Sequence, residues 1–368
     1  MIKDEKLKKL SHTLINHSLN VKEKDNVLIT FPIEAKELVE FLIKDISSIG
    51  ANAFLKIYDD NLNALLEKTM NESRIESLKR VRQVEVDCYD KFVQICYNYN
   101  DYENKNRNKD VFKKIRKELH EINEIRVNER DWVLLNYPSN LDAFQTKMSF
   151  EDFYNFAMDV MTVDYKKMKK DLIRLKELME KTDKVHITGP GTDIEFSIKG
   201  LPAIICSGEK NIPDGEVYTA PVKNSVNGTI TYNTPSPYEG NVYHNVKLTF
   251  KDGKIIGATC DEDDEQLNKI FSTDEGSSYV GEFSLGLNPK IINPMGDILY
   301  DEKIKGSLHF TPGCSYDDCN NTNKSTVHWD LVLIQREDYG GGEIYFDDVL
   351  IRKDGKFVLD SLTHLNYE

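Results

Sequence analysis

Three things are scarce in this 368-residue chain: paired cysteines, long apolar runs and net positive charge. Its six cysteines (Cys88, Cys96, Cys206, Cys260, Cys314, Cys319) form no C-x-x-C pair, which sets aside the common zinc-finger and dithiol motifs. The start, Met1-Ile-Lys-Asp-Glu-Lys, is charged and no apolar run follows, so no secretory leader is expected. Reduced thiols and a cytoplasmic location are the expectation. No stretch approaches the ~18 uninterrupted apolar residues of a membrane helix. The longest, Val27 to Phe31 and Trp132 to Leu135, are strand-sized. Forty-eight Lys and Arg face 62 Asp and Glu, a formal charge of −14. The chain therefore lacks the basic face that nucleic acids or anionic membranes need, and neither is expected as a partner. No glycine-rich loop follows any candidate strand, so the dinucleotide fingerprint is absent. No internal repeat or low-complexity tract is visible.

What is present divides into two halves. In the first, residues 5–19 set Leu7, Leu10, Leu14 and Ile15 at helical spacing. Val27 to Phe31 reads as a buried strand ended by Pro32. Leu38, Phe41, Leu42, Ile46 and Ile49 repeat the helical period, with Gly50 as a stop. Further strands are expected at 53–58, 92–96 and 132–135, with charged helices running to about Tyr89 and over about 105–123. Short strands separated by helices predict βαβ units and a largely parallel sheet. The lysine-rich helix is read as a solvated face.

The second half is rich in glycine and β-branched residues. Strands are expected at 185–188, 194–198, 217–219 and 228–232. Asp252-Gly253 and Asp354-Gly355, each flanked by strand formers, predict two antiparallel hairpins. Residues 262–271 read as a helix, and 165–181 as a long helix leading across a domain boundary. The fold class is α/β: an N-terminal α/β domain over 1–183 and a C-terminal strand-rich α+β domain over 184–368.

The residues that carry chemistry lie in 216–330. His328-Trp-Asp330 opens a segment that reads as a strand through Ile334, which puts imidazole and carboxylate on one face and Trp329 on the other. Such a pair suits a divalent metal, with nitrogen and oxygen donors. Taken alone it equally describes a hydrogen-bonded surface pair. His309 is expected at the end of a strand, just before Pro312-Gly313. Glu216 and Glu282 each follow a glycine at a strand start, where the backbone approaches closely and the carboxylate projects inward. Tyr316 offers a hydroxyl.

Taken together, these segments resemble a known family. Asn211-Ile-Pro-Asp-Gly-Glu-Val-Tyr-Thr-Ala-Pro221, Gly281-Glu282, His309 with Tyr316, and Asn323-Lys-Ser-Thr-Val-His-Trp-Asp330 resemble the aminopeptidase T/aminopeptidase S family of metalloaminopeptidases. Ile187-Thr-Gly-Pro-Gly-Thr-Asp193 looks like that family's lead-in to its metal-binding domain. The resemblance implies a metal set of Glu216, Glu282, His309, Tyr316, His328 and Asp330, with Glu216, Glu282 and Tyr316 in catalysis. It implies two divalent ions (Zn, Co or Mn), a metal-activated water, peptide substrates with a free N-terminus, and a homodimer. Which glutamate bridges the ions is left open. Thr311-Pro312 departs from the small or aliphatic pair that many members carry. Cys314 and Cys319 flank Tyr316 at a spacing that is no standard zinc motif, and are read as reduced structural cysteines.

Two rival readings use the same donors. A dinuclear amidase or phosphoesterase is one, although phosphate recognition usually adds basic groups and none lies inside the ligand motifs. A non-catalytic metal-binding protein is the other, although structural zinc favours closed Cys/His sets.

Overall fold

The computed structural model describes residues 3–99 and 109–367. The chain divides into two compact units, 1–163 with 208–212, and 164–207 with 213–368.

The first unit is built on a five-stranded sheet in which every pairing is parallel. Its strands are Asn26–Pro32, Asn52–Tyr58, Lys91–Tyr97 and Asp131–Tyr137, joined at one edge by the short Asn211–Ile212. Val27, Leu28, Ile29 and Phe31 are buried, as expected of a parallel strand covered on both faces. Pro32 is the last strand residue rather than a break before it. The helix Lys36–Ser48 buries Leu38, Val39, Leu42 and Ile46, the periodic face seen in the sequence. The helix expected over 5–19 comprises an α-helix, Lys3–Thr13, running into a π-helical turn, Leu14–Ser18. Charged helices Asp60–Lys68 and Glu72–Cys88 follow the second strand. Of the single lysine-rich helix expected over about 105–123, residues 105–108 lie outside the described residues, and the rest is two helices, Lys109–Glu118 and His120–Asn128.

The second unit opens with the helix Tyr165–Met179 and is dominated by antiparallel sheets. One sheet has eight strands and contains both Asp-Gly hairpins. Asp252 and Gly253 have φ of 50° and 84°, and Asp354 and Gly355 have 49° and 77°. These are the paired positive angles that make Asp-Gly the preferred two-residue turn.

The other main sheet has five strands in the order Val332–Ile334, Ser307–Pro312, Val280–Gly286, Glu216–Thr219, Ile204–Cys206. Its central strand, Val280–Gly286, is buried at all seven positions. Strand alternation divides its side chains between two environments. Phe283 and Phe310 turn to an aromatic layer with Phe196, at centroid separations of 5.0 and 4.9 Å. Glu282 and Ser284 turn the other way, and on that face the candidate site is built.

Candidate metal centre

Register decides which side chains meet. Ser284 pairs with His309 on one side and Tyr218 on the other, Glu282 pairs with Thr311, and Gly286 pairs with Glu216. Glu216, Glu282, Ser284, His309 and Thr311 therefore share one face. The pairing slips between Val280 and Glu282, a bulge at Gly281 that re-aims the glutamate. Gly281 is required there: a Cβ would lie 2.5 Å from the Gly313 carbonyl oxygen. Gly215 likewise sits at φ +132°, with Asn288 backbone nitrogen 3.1 Å from where its Cβ would be. Both Gly-Glu steps are thus close-approach positions, as the sequence suggested.

Three of the sequence expectations need correction. Glu282 is the third residue of Val280–Gly286, not the start of the strand. His309 lies within Ser307–Pro312, not at its end. The regular strand after His328 begins only at Val332, because His328 makes a single isolated bridge to Gly313. The alternation nevertheless holds across 328–330. Trp329 is buried against Tyr238, Tyr243 and Phe271, with centroids 4.8, 5.4 and 5.9 Å away. His328 and Asp330 face the carboxylates, and Nε2 to Oδ1 is 3.3 Å.

The structure brings Glu216, Glu282, His309, His328 and Asp330 into one cluster. Glu282 lies between the imidazoles: Oε1 is 3.2 Å from His309 Nε2 and Oε2 is 3.3 Å from His328 Nε2. Two donor groups, Glu216–Glu282–His309 and Glu282–His328–Asp330, share it. His328 Nδ1 donates to the Cys314 carbonyl at 2.8 Å, and His309 Nδ1 is 3.3 Å from the Glu302 carbonyl. Each ring thus turns Nε2 inward, the outer-shell arrangement that orients metal-binding histidines. His328 Nε2 is buried yet lacks hydrogen-bond geometry to either carboxylate oxygen 3.3 Å away. His309 Nε2 hydrogen-bonds Glu282 Oε1 at 3.2 Å, whereas His328 Nε2 is left unpaired among oxygen donors, a convergence that fits divalent cations.

The electrostatics agree. Burial would lower both imidazoliums, but Glu282 and Glu216 beside His309, and Asp330 and Glu282 beside His328, hold them above the ordinary histidine range. Burial would raise the carboxyls of Glu282 and Asp330, but the two imidazoles hold them down. The cluster attracts positive charge.

Tyr316 stands at the rim. Its ring is 4.8 Å from that of His328 and 5.5 Å from that of Tyr218, and the residue is 47% exposed. Thr311 donates its hydroxyl to Asp330 Oδ1 at 2.7 Å. Cys314 and Cys319 thiols bond backbone carbonyls and belong to none of the donor groups.

The motifs missed Lys303, Glu302, Ser284 and Cys206. Lys303 is fully buried, its Nζ 3.4 Å from Glu216 Oε1 and against Glu302 Oε1. Burial would lower this ammonium, but Glu216 and Asp214 hold it above its usual value. Ser284 Oγ donates to Glu216 Oε2 at 2.8 Å. Cys206 forms a further donor group with Asp214 and Glu216.

The sequence profile of the family described as thermophilic metalloprotease (M29) matches residues 3–357. The chain belongs to the M29 metalloprotease family. This M29 protein is 24% identical over 393 aligned residues to aminopeptidase PepS of Streptococcus thermophilus, spanning 89% of this chain and 92% of that one. It is 30% identical over 162 residues to aminopeptidase 2 of Geobacillus stearothermophilus, spanning 40% and 37%. Among solved structures, wild-type AmpT from Thermus thermophilus matches with a TM-score of 0.79 at 18% identity, covering 97% of this chain and 100% of that one. The M29 chain shares that fold, a mixed α/β architecture with one parallel sheet and antiparallel strand-rich sheets. No helix among the described residues is long and apolar enough to cross a membrane.

Proposed function

We propose that this metal-dependent peptide hydrolase is an aminopeptidase that removes N-terminal residues from peptides at a two-cation centre. One observation carries the reading: Glu282 presents one carboxylate oxygen to each of two imidazoles whose other nitrogens face backbone carbonyls. Glu216, Glu282 and His309 would hold one divalent ion, and Glu282, His328 and Asp330 the other, with Glu282 bridging. Zn, Co and Mn all suit such donors. When bound, the ions supply a water of lowered pKa and polarise the scissile carbonyl.

The chain's own groups do the rest. Thr311 and the Cys314 carbonyl fix Asp330 and His328, and Ser284 and Lys303 fix Glu216. Tyr316 would offer its hydroxyl, held protonated by burial and by the nearby Glu282, Asp330 and Glu216 carboxylates, to a substrate carbonyl oxygen as it gains charge. The free α-amine of the peptide is the natural partner of the carboxylate-rich face. Six free thiols support a cytoplasmic setting. Phe54, Leu55 and Ile57, exposed on the edge strand Asn52–Tyr58, support a homodimer, which light scattering measures.

Aminoacyl-p-nitroanilides assayed with added Zn²⁺, Co²⁺ or Mn²⁺ test the activity. Free-amine substrates should be cleaved and their N-acetylated counterparts left intact. Equal cleavage of both would end the aminopeptidase reading, and tight metal binding with no turnover would favour a non-catalytic centre.

A further inference from the structure

The two donor groups are alike in type but not in charge. Lys303 is 0% exposed and makes its ion pairs with Glu216 and Glu302. Its ammonium lies on Glu216, which serves only one of the two groups; Asp330 of the other group acts on it more weakly, and Glu302 joins His309 and Asp330 in a further donor group. On the other side, Asp330 receives a neutral hydroxyl from Thr311 and His328 is held by a neutral carbonyl. Neither contact withdraws negative charge from a donor.

We propose that Lys303 makes the two cation positions unequal, so that the Glu216–Glu282–His309 position binds its ion more weakly than the Glu282–His328–Asp330 position. The inference rests on the two-cation reading above. The ammonium neutralises part of the Glu216 carboxylate and repels a cation on the same group. In buried surroundings neither effect is screened as it would be in water. Partners just outside a metal's ligands commonly change affinity by about 10–100-fold. Lys303 also serves the metal-free chain, where an unpaired buried Glu216 would be costly. Removing the lysine charge therefore tightens the weak position twice over: it deletes the repulsion and destabilises the state without the ion. Lys303 acts through Glu216 and is a positioning residue; the weakly held ion would be the exchangeable one.

The test is a zinc titration of the full chain against a chromophoric chelator, read as ion stoichiometry and affinity. Wild type should hold two ions with affinities about 10-fold or more apart. His309→Asn should lose the weak ion and keep the tight one, and His328→Asn should do the reverse. Lys303→Met should bring the two affinities together, whereas Lys303→Arg keeps them apart. A single ion in wild type would refute the two-cation reading itself. Two ions of equal affinity, a weak ion lost with His328→Asn, or both ions lost with His309→Asn would overturn the Lys303 inference alone. So would a gap unchanged in Lys303→Met. If that variant does not fold, wild type and the two histidine variants decide.

Discussion

Gly281 and Cys314 pass so close that a Cβ on residue 281 would lie 2.3 Å from the Cys314 carbonyl oxygen. That same oxygen accepts the Nδ1 proton of His328 at 2.8 Å. A methyl group at 281 therefore presses on the acceptor that fixes the imidazole. Gly281→Ala should leave secondary structure intact, by circular dichroism, while weakening metal binding about 10–100-fold. An alanine variant with undiminished zinc affinity would show that the Cys314 carbonyl does not orient His328.

Asp301 provides a pH signature outside the cation cluster. It is 2% exposed, and its oxygens accept from the backbone amides of Met295 and Gly296 at 2.6 and 2.9 Å. Burial pushes its carboxyl up to about 7 despite those donors. With the folded value above the unfolded 3.8, the folded chain holds the extra proton between the two. Stability should thus rise as pH falls from about 7 toward 4, by up to roughly 1.4 kcal/mol per unit. Asp301→Asn removes that slope. Urea denaturation across this range measures it, and parallel pH curves for wild type and variant would mean that Asp301 stays ionised.

Asp274 anchors the segment that delivers His328. Its carboxylate accepts from Ser277 N, Ser325 Oγ, Thr326 N and Thr326 Oγ1 at 2.9, 2.7, 2.8 and 2.9 Å. Burial works against ionisation, but these donors hold the carboxyl down at about 2. The stabilisation is present above about pH 4 and is lost as pH falls toward 2. Asp274→Ala should cost about 1–3 kcal/mol and reduce kcat/KM, with Asp274→Asn milder because an acceptor remains. Full activity in the alanine variant would free His328 from this anchor.

The chain's two tryptophans, Trp132 and Trp329, fall one in each unit. Trp329 sits between His328 and Asp330 in sequence, so its emission reports on the second unit. In Trp132→Phe, chelation should lower the unfolding midpoint seen by Trp329, since an ion held at 100 times its Kd contributes about 2.7 kcal/mol. An unmoved midpoint would mean that the ions add nothing to folding.

Much of this was legible because local patterns agreed with the fold. The strands before Pro32 and at 132–135 announced themselves by apolar runs, and both hairpins by Asp-Gly. Gly215 and Gly281 announced close backbone approaches. Ser284, Lys303 and Glu302 were hidden for the opposite reason: register across the sheet brings Ser284 to Glu216, and the turn after the helix Ile298–Asp301 brings Glu302 and Lys303 there, neither of which sequence spacing reveals. His309 looked like a strand end because Pro312-Gly313 follows, yet Pro312 still occupies a strand position. The segment through Asp330 kept its alternation without the ladder of a regular strand. Asn211–Ile212 is too short for any periodicity to show.

That short strand has a practical consequence. Leu134 and Leu135 pair with Asn211 and Ile212, so the first unit's sheet is completed by residues far along the chain. A protease fragment or expressed piece ending at residue 163 would carry the Asp131–Tyr137 strand as a bare edge, open to pairing with another copy. The two units are compact in space yet interleaved in sequence, and no single cut separates them cleanly.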